Sequence, residues 1–354
     1  MSSEMIDLTT CNDNVSGHGS PVDSFLRRRK LPALFLTALF LLSALIVPSS
    51  CTSLGNGSEN ESTASRSSSL AGPPHTEPIK GYGIPAEYLI VPSDHFPRGI
   101  TAVALPLDYH SHPKKQYPLV IAFGGAGECI RPPRDGALAW IDYYKLGDAV
   151  HALRRNRLTK EDFRGFVTGP QLAAFNRSLE KRPYRGVIVA CPYSPPLTVG
   201  KHLESPSYEA FIMKDLLPEL LARYRVAKGR VGVDGVSMGG ARSMYYGLKY
   251  PRVFCSIGSL QGAFGPFRSV YRDLAARNAG LLQKRSIQLV TSDGDPMAPD
   301  VMEMHRLLSK WSIPHVFSVM TGPHDYIFNQ GPGCIALLTF HNAARTCPDL
   351  RPMR

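Results

Sequence analysis

The sequence is poor in several things that would have pointed elsewhere. No basic helix is interleaved with aromatics, so the excess of 40 Lys and Arg over 29 Asp and Glu reads as a solvated basic surface rather than a nucleic-acid groove. The glycine-rich stretch Gly124-Gly-Ala-Gly-Glu128 lacks the Lys-Ser/Thr pair of a phosphate loop. His110-Ser-His112 lacks a nearby third ligand, which makes it a surface turn before a metal site. Long apolar runs are missing too, apart from Leu31 to Val47. At 354 residues and 43% hydrophobic, what remains is globular, with chain enough for one large core.

That one run holds seventeen uncharged residues, follows Arg27-Arg-Arg-Lys30 and ends at Pro48-Ser-Ser-Cys51. A basic stretch, an apolar stretch and then small residues make an export segment. Small residues before Cys51 resemble a bacterial lipoprotein signal, which would make Cys51 the lipidated N-terminus. Pro48 stands where that pattern has Leu, Val or Ile, and an uncleaved anchor with Arg27 to Lys30 left in the cytoplasm is the alternative. Both readings of segment 1–51 place the rest outside the cytoplasm, in the cell envelope and held to the membrane. Residues 52–80 are rich in Ser, Gly, Asn, Thr and Pro and are expected to be a flexible tether. Asn56, Asn60 and Asn176 begin formal glycosylation sequons.

From residue 81 to 354 the pattern predicts one α/β domain. Apolar β-rich runs occur at 99–108, 117–123, 186–190, 231–235, 254–260, 286–291 and 315–320, and most are followed by helical periodicity. Such alternation implies a mostly parallel sheet with helices on both faces. Residues 131–182 exceed what one crossover needs and are expected to hold an insertion. Its aromatics, among them Trp140, Tyr144 and Phe175, read first as packing and second as a cap over a pocket. Pro218 is expected to kink or bound the helix of residues 207–226.

The organising stretch is Val231-Gly-Val-Asp-Gly-Val-Ser237-Met-Gly-Gly240. A short apolar strand runs through Gly-x-Ser-x-Gly into a helix, the form of a nucleophile elbow. The sharp turn exposes the Ser237 hydroxyl, and Gly235 and Gly239 allow the turn. The backbone N–H of Met238 then faces a developing oxyanion, and Ala126 or Gly125 in the glycine loop offers a second donor. A serine nucleophile needs a base and a carboxylate to orient it. His324, in Thr321-Gly-Pro-His-Asp-Tyr326, is the one histidine in a loop after a late strand; His305, His315 and His341 read as surface or core residues. Asp295, in Ser292-Asp-Gly-Asp-Pro296, is expected as the acid, with Asp293 the alternative.

These pieces, with Leu216-Leu-Pro-Glu-Leu-Leu-Ala-Arg-Tyr224 and Tyr250-Pro-Arg-Val-Phe254, resemble the esterase family of α/β-hydrolases. That family includes S-formylglutathione hydrolases, feruloyl esterases, polyhydroxyalkanoate depolymerases and mycolyltransferases. The resemblance runs from about residue 82 to 342 and departs at Gly124, where many members have His. It implies an α/β-hydrolase fold, serine-dependent cleavage of small-molecule or polymer-linked carboxylic esters, and no cofactor. An acyltransferase on the same triad, or a non-catalytic binding protein on the same scaffold, stays open. In this fold Cys129 and Cys191 follow neighbouring strands and are the favoured disulfide, with Cys255 simply buried.

Overall fold

Along Tyr117–Phe123 the side chains of Leu119, Ile121 and Phe123 enter one apolar cluster and those of Val120 and Ala122 another. The period of two puts the clusters on opposite faces of a sheet buried on both sides. The computed structural model describes residues 72–197 and 203–349. Its strands are β1 (His75–Ile79), β2 (Ala86–Ile90), β3 (Ile100–Ala104), β4 (Tyr117–Phe123), β5 (Ile188–Pro192), β6 (Val226–Gly235), β7 (Ser256–Leu260), β8 (Ser286–Gly294) and β9 (Val316–Pro323). They form one sheet in the order β1-β2-β3-β5-β4-β6-β7-β8-β9. β1 to β3 are antiparallel, β3 meets β5 antiparallel, and β5 through β9 are parallel. This is the mostly parallel, doubly covered sheet that the alternation predicted.

The helices that matter for the site are α1 (Ala126–Cys129), α2 (Leu146–Arg154), α3 (Gly169–Lys181), α4 (Leu217–Arg223), α5 (Met238–Lys249), α6 (Arg268–Leu282), α7 (Ala298–Lys310) and α8 (Cys334–Ala343). Leu220 of α4, Met244 of α5, Tyr271 of α6 and Leu308 of α7 cover one face. Leu153 of α2, Phe175 of α3 and Leu338 of α8 cover the other. Trp140, Phe163 and Phe175, inside the expected insertion, belong to this second cluster, so packing is what most of its aromatics do. Pro218 bounds a helix as expected: the wider turn Phe211–Leu216 precedes it and α4 starts around it. The missing proline N–H cannot close a regular turn there.

Two expectations are corrected. The sheet begins at His75, inside the stretch read as tether, because β1 and β2 add a hairpin at the sheet edge. Pro78 is tolerated there because an edge strand has one unpaired side. The disulfide joins Cys255 to Cys347, with Cα atoms 5.7 Å apart, while Cys129, Cys191 and Cys334 are free and buried. Cys129 donates its thiol to the Gly125 carbonyl (3.3 Å) rather than meeting Cys191. Burial pushes the Cys129 thiol up to about 11 and the Cys191 thiol up to about 12, which keeps both protonated and unreactive. The observed bridge ties the tail after α8 to the start of β7 across 92 residues, a span over which a disulfide contributes about 2–5 kcal/mol.

Candidate active site

The end of β6 makes the turn that the glycine spacing predicted. Ser237 sits at φ 56°, ψ −116°, a conformation L-residues rarely adopt and one found where function requires it. A Cβ on Gly235 would lie 2.3 Å from the Gly239 carbonyl oxygen, and one on Gly239 would lie 2.4 Å from the carbonyl oxygens of both Phe123 and Gly124. Glycine at 239 therefore lets the end of β4 press against the elbow. That packing brings the glycine loop to the nucleophile: a Cβ placed on Gly125 would stand 3.8 Å from Ser237 Cβ.

Two loops deliver the remaining groups. His324, after β9, has Nε2 3.0 Å from Ser237 Oγ and Nδ1 2.7 Å from Asp295 Oδ1. A carboxylate at Nδ1 selects the tautomer in which Nε2 accepts the serine proton. Asp295 is fully buried at its side chain while His324 stays partly open. Thr291 Oγ1 donates to Asp295 Oδ2 (2.6 Å) and the Met297 N–H to Oδ1 (2.8 Å). The competing carboxylate does something else: Asp293 Oδ1 accepts the Gly322 N–H at 3.0 Å, bracing the histidine loop.

The expected oxyanion donors divide. Met238 opens α5 and Ala126 opens α1, and first-turn N–H groups have no partner within their own helix. Gly125 N–H instead donates to Tyr144 Oη at 3.0 Å. Tyr144 in turn donates to Glu128 Oε2 (2.7 Å), whose Oε1 accepts from Tyr326 Oη (2.7 Å). Burial, then the Glu128 carboxylate, hold the Tyr144 phenol well above its ordinary range, so it remains a proton donor to Glu128 at any working pH. This chain fixes the glycine loop, and nothing in the spacing of Glu128 and Tyr144 announced it. Tyr144→Phe is expected to lower kcat about tenfold with KM nearly unchanged, because it loosens a donor loop without removing a donor, and to lower the melting temperature by a few degrees, because the buried Gly125 N–H and Glu128 Oε2 lose their partner. Steady-state kinetics beside a thermal melt checks this.

Gln261 was also invisible in the sequence. It is buried with φ 48°, and its amide donates to Ser292 Oγ (2.8 Å) and to the Pro323 carbonyl (2.9 Å). One side chain thus clamps the acid loop to the histidine loop.

A second Ser-His-Asp set lies under the elbow strand. Ser256 Oγ is 2.8 Å from His341 Nδ1, and His341 Nε2 is 3.0 Å from Asp234 Oδ2. All three are buried. Gly232 and Gly258 make room for it, since Cβ atoms there would fall within 2.6 Å of His341 Nδ1 and 2.0 Å of Asp234 Oδ2 respectively. Ser256 lies in β7 with no exposed turn, so this set ties α8 to β6 and β7. His341 is the core histidine that the sequence allowed for. His110 and His112 lie in an exposed turn after β3. Among the described residues no group of three or more His, Cys, Asp or Glu could hold a metal ion.

The sequence model of the Esterase family matches residues 191–302, the stretch with the elbow and Asp295. Among solved structures, a ferulic acid esterase aligns over 76% of this chain and 97% of its own with 16% identity and a TM-score of 0.53. An S-formylglutathione hydrolase from Staphylococcus aureus aligns over 76% and 99% with 14% identity and a TM-score of 0.46. A feruloyl esterase module from Clostridium thermocellum aligns over 82% and 96% with 15% identity and a TM-score of 0.46. No curated protein matches the chain. The likeness in structure is one of fold: the chain has the α/β-hydrolase fold, and its residues 191–302, around the elbow, are similar to the Esterase family.

Proposed function

We propose that the protein is a serine hydrolase that cleaves carboxylic esters through an acyl-enzyme. The observation that carries this reading is His324 bridging Ser237 Oγ at 3.0 Å and Asp295 at 2.7 Å on a strained elbow. In the first half-reaction Ser237 Oγ attacks the ester carbon as its proton passes to His324 Nε2. Met238 and Ala126 N–H groups donate to the oxyanion, and Asp295 stabilises the imidazolium. The C–O bond to the alcohol then breaks and the alcohol leaves with the His324 proton. In the second half water repeats the attack, returning a proton to Ser237 and releasing the acid. Pre-steady-state hydrolysis of p-nitrophenyl acetate tests this: an acyl-enzyme gives a burst of about one p-nitrophenolate per active site. Hydrolysis that is linear from the first turnover, with no acyl adduct in the mass spectrum, would contradict it.

We propose further that the segment ending at Cys51 holds the protein to the envelope membrane. That segment lies outside the described residues, and no described helix is long and apolar enough to cross a membrane. The support is the basic-apolar-small pattern of residues 27–51 and the Cys255–Cys347 bridge, which belongs in an oxidising compartment. If Cys51 is lipidated, Cys51→Ala leaves an unprocessed, larger form on a gel; if the apolar run is an uncleaved anchor, size and membrane fraction are unchanged. Wild-type protein found wholly in the soluble fraction would overturn both.

A further inference from the structure

Four large apolar side chains are exposed among the described residues: Ile130 (80%), Ile327 (51%), Leu221 (40%) and Tyr326 (39%). Leu221 is on α4. The other three stand on the two loops that carry the groups of the candidate site. Ile130 closes the short helix opened by Ala126, and Tyr326 and Ile327 follow His324 by two and three residues. The loops touch. Tyr326 Oη donates to Glu128 (2.7 Å), and a Cβ on Gly127 would lie 2.8 Å from the same oxygen. A single exposed isoleucine on a surface is ordinary, whereas apolar side chains gathered around a reactive centre mark a contact surface.

The chemistry of the rim selects its occupant. Ile130 and Ile327 are exposed over most of their surface, so they suit insertion into an apolar phase better than the enclosure of a single chain. Beside Ile130 the Arg131 guanidinium lies 4.3 Å over the Tyr143 ring, and that ring is 5.9 Å from Tyr326. A cation with aromatic rings at the base of exposed aliphatic residues is the composition of a site that meets anionic headgroups. The excess of basic residues, a formal charge of +11, has the same sign. A second copy docked on this rim would close off Ser237, whereas a lipid surface would present an ester to it.

We infer that the mouth of the site docks on an anionic lipid surface through Ile130 and Ile327, and that the substrates are esters embedded in lipid assemblies. This rests on the ester-hydrolase reading and names its substrate class. The bond broken is the same acyl C–O bond, and water is the co-reactant.

The test compares the full-length wild type with the double variant Ile130→Ser/Ile327→Ser. The substrates are p-nitrophenyl acetate in solution and p-nitrophenyl palmitate in vesicles of phosphatidylcholine, with and without phosphatidylglycerol. The wild type is expected to act faster on the vesicles containing phosphatidylglycerol, with the gain lost in high salt. The double variant is expected to lose about tenfold or more on the vesicle ester while staying within about twofold on the soluble one. Ile130→Trp/Ile327→Trp, which keeps the rim apolar, is expected to match or exceed the wild type on vesicles. Equal vesicle rates for the wild type and the serine variant would overturn the inference. So would a tryptophan variant as slow as the serine one, or a wild-type dimer that the serine variant dissolves. A wild type that cleaves the soluble ester and ignores the vesicle ester defeats the lipid surface and leaves the hydrolase reading standing; one that cleaves neither defeats both.

Discussion

Ser237→Ala is expected to reduce ester turnover by about 10⁴-fold or more, which is about 5.5 kcal/mol of transition-state stabilisation. The fold should hold, because the strain belongs to the backbone. Ser237 keeps φ at 56° through its N–H to the Leu260 carbonyl (2.9 Å) and through its own carbonyl, which accepts from Ala241 and Ala263 at 3.0 Å each. None of these bonds uses the side chain. The hydroxyl itself bonds to the partly open His324, so stability should stay within about 1 kcal/mol of the wild type. Kinetics on a p-nitrophenyl ester and a thermal melt of the same preparation check both halves, and wild-type turnover in the variant would refute the nucleophile.

The second large effect separates two carboxylates two residues apart. Asp295→Asn should cost about 10³–10⁴-fold in kcat. An amide cannot stabilise the imidazolium at His324 Nδ1, and its NH2 group meets a donor in either orientation: Thr291 Oγ1 in place of Oδ2, or the Met297 N–H and His324 Nδ1 in place of Oδ1. Asp293→Asn should stay within about tenfold, because an asparagine oxygen can still accept the Gly322 N–H that Asp293 holds at 3.0 Å. Equal losses in the two variants would return the acid to open choice.

The elbow was legible because its constraints are local. Gly235, Ser237 and Gly239 are dictated by one turn, and the atoms that forbid a Cβ at the two glycines belong to neighbouring backbone. Strand order then made Asp295 and His324 readable, since each follows a late β run by a few residues. What stayed hidden depends on contacts distant in sequence. Tyr144 reaches back 19 residues to the Gly125 N–H, and Tyr326 reaches 198 residues to Glu128. Gln261 earns its place by touching two loops 31 and 62 residues away. The disulfide escaped for the same reason: only the path of the tail after α8 brings Cys347 to Cys255. β1 was missed because residues 75–79, with Pro78 among them, lack the apolar alternation of a buried strand and pair only at an edge.

The central claim is that Ser237, and not the buried Ser256, is the activated nucleophile. Reaction of the native protein with a fluorophosphonate, followed by digestion and mass spectrometry of the adduct, measures this directly. The geometry predicts a single phosphonylated serine at position 237, and no adduct in Ser237→Ala. Adduct at Ser256, the serine of the sealed second set, or native protein that stays unlabelled, would contradict it.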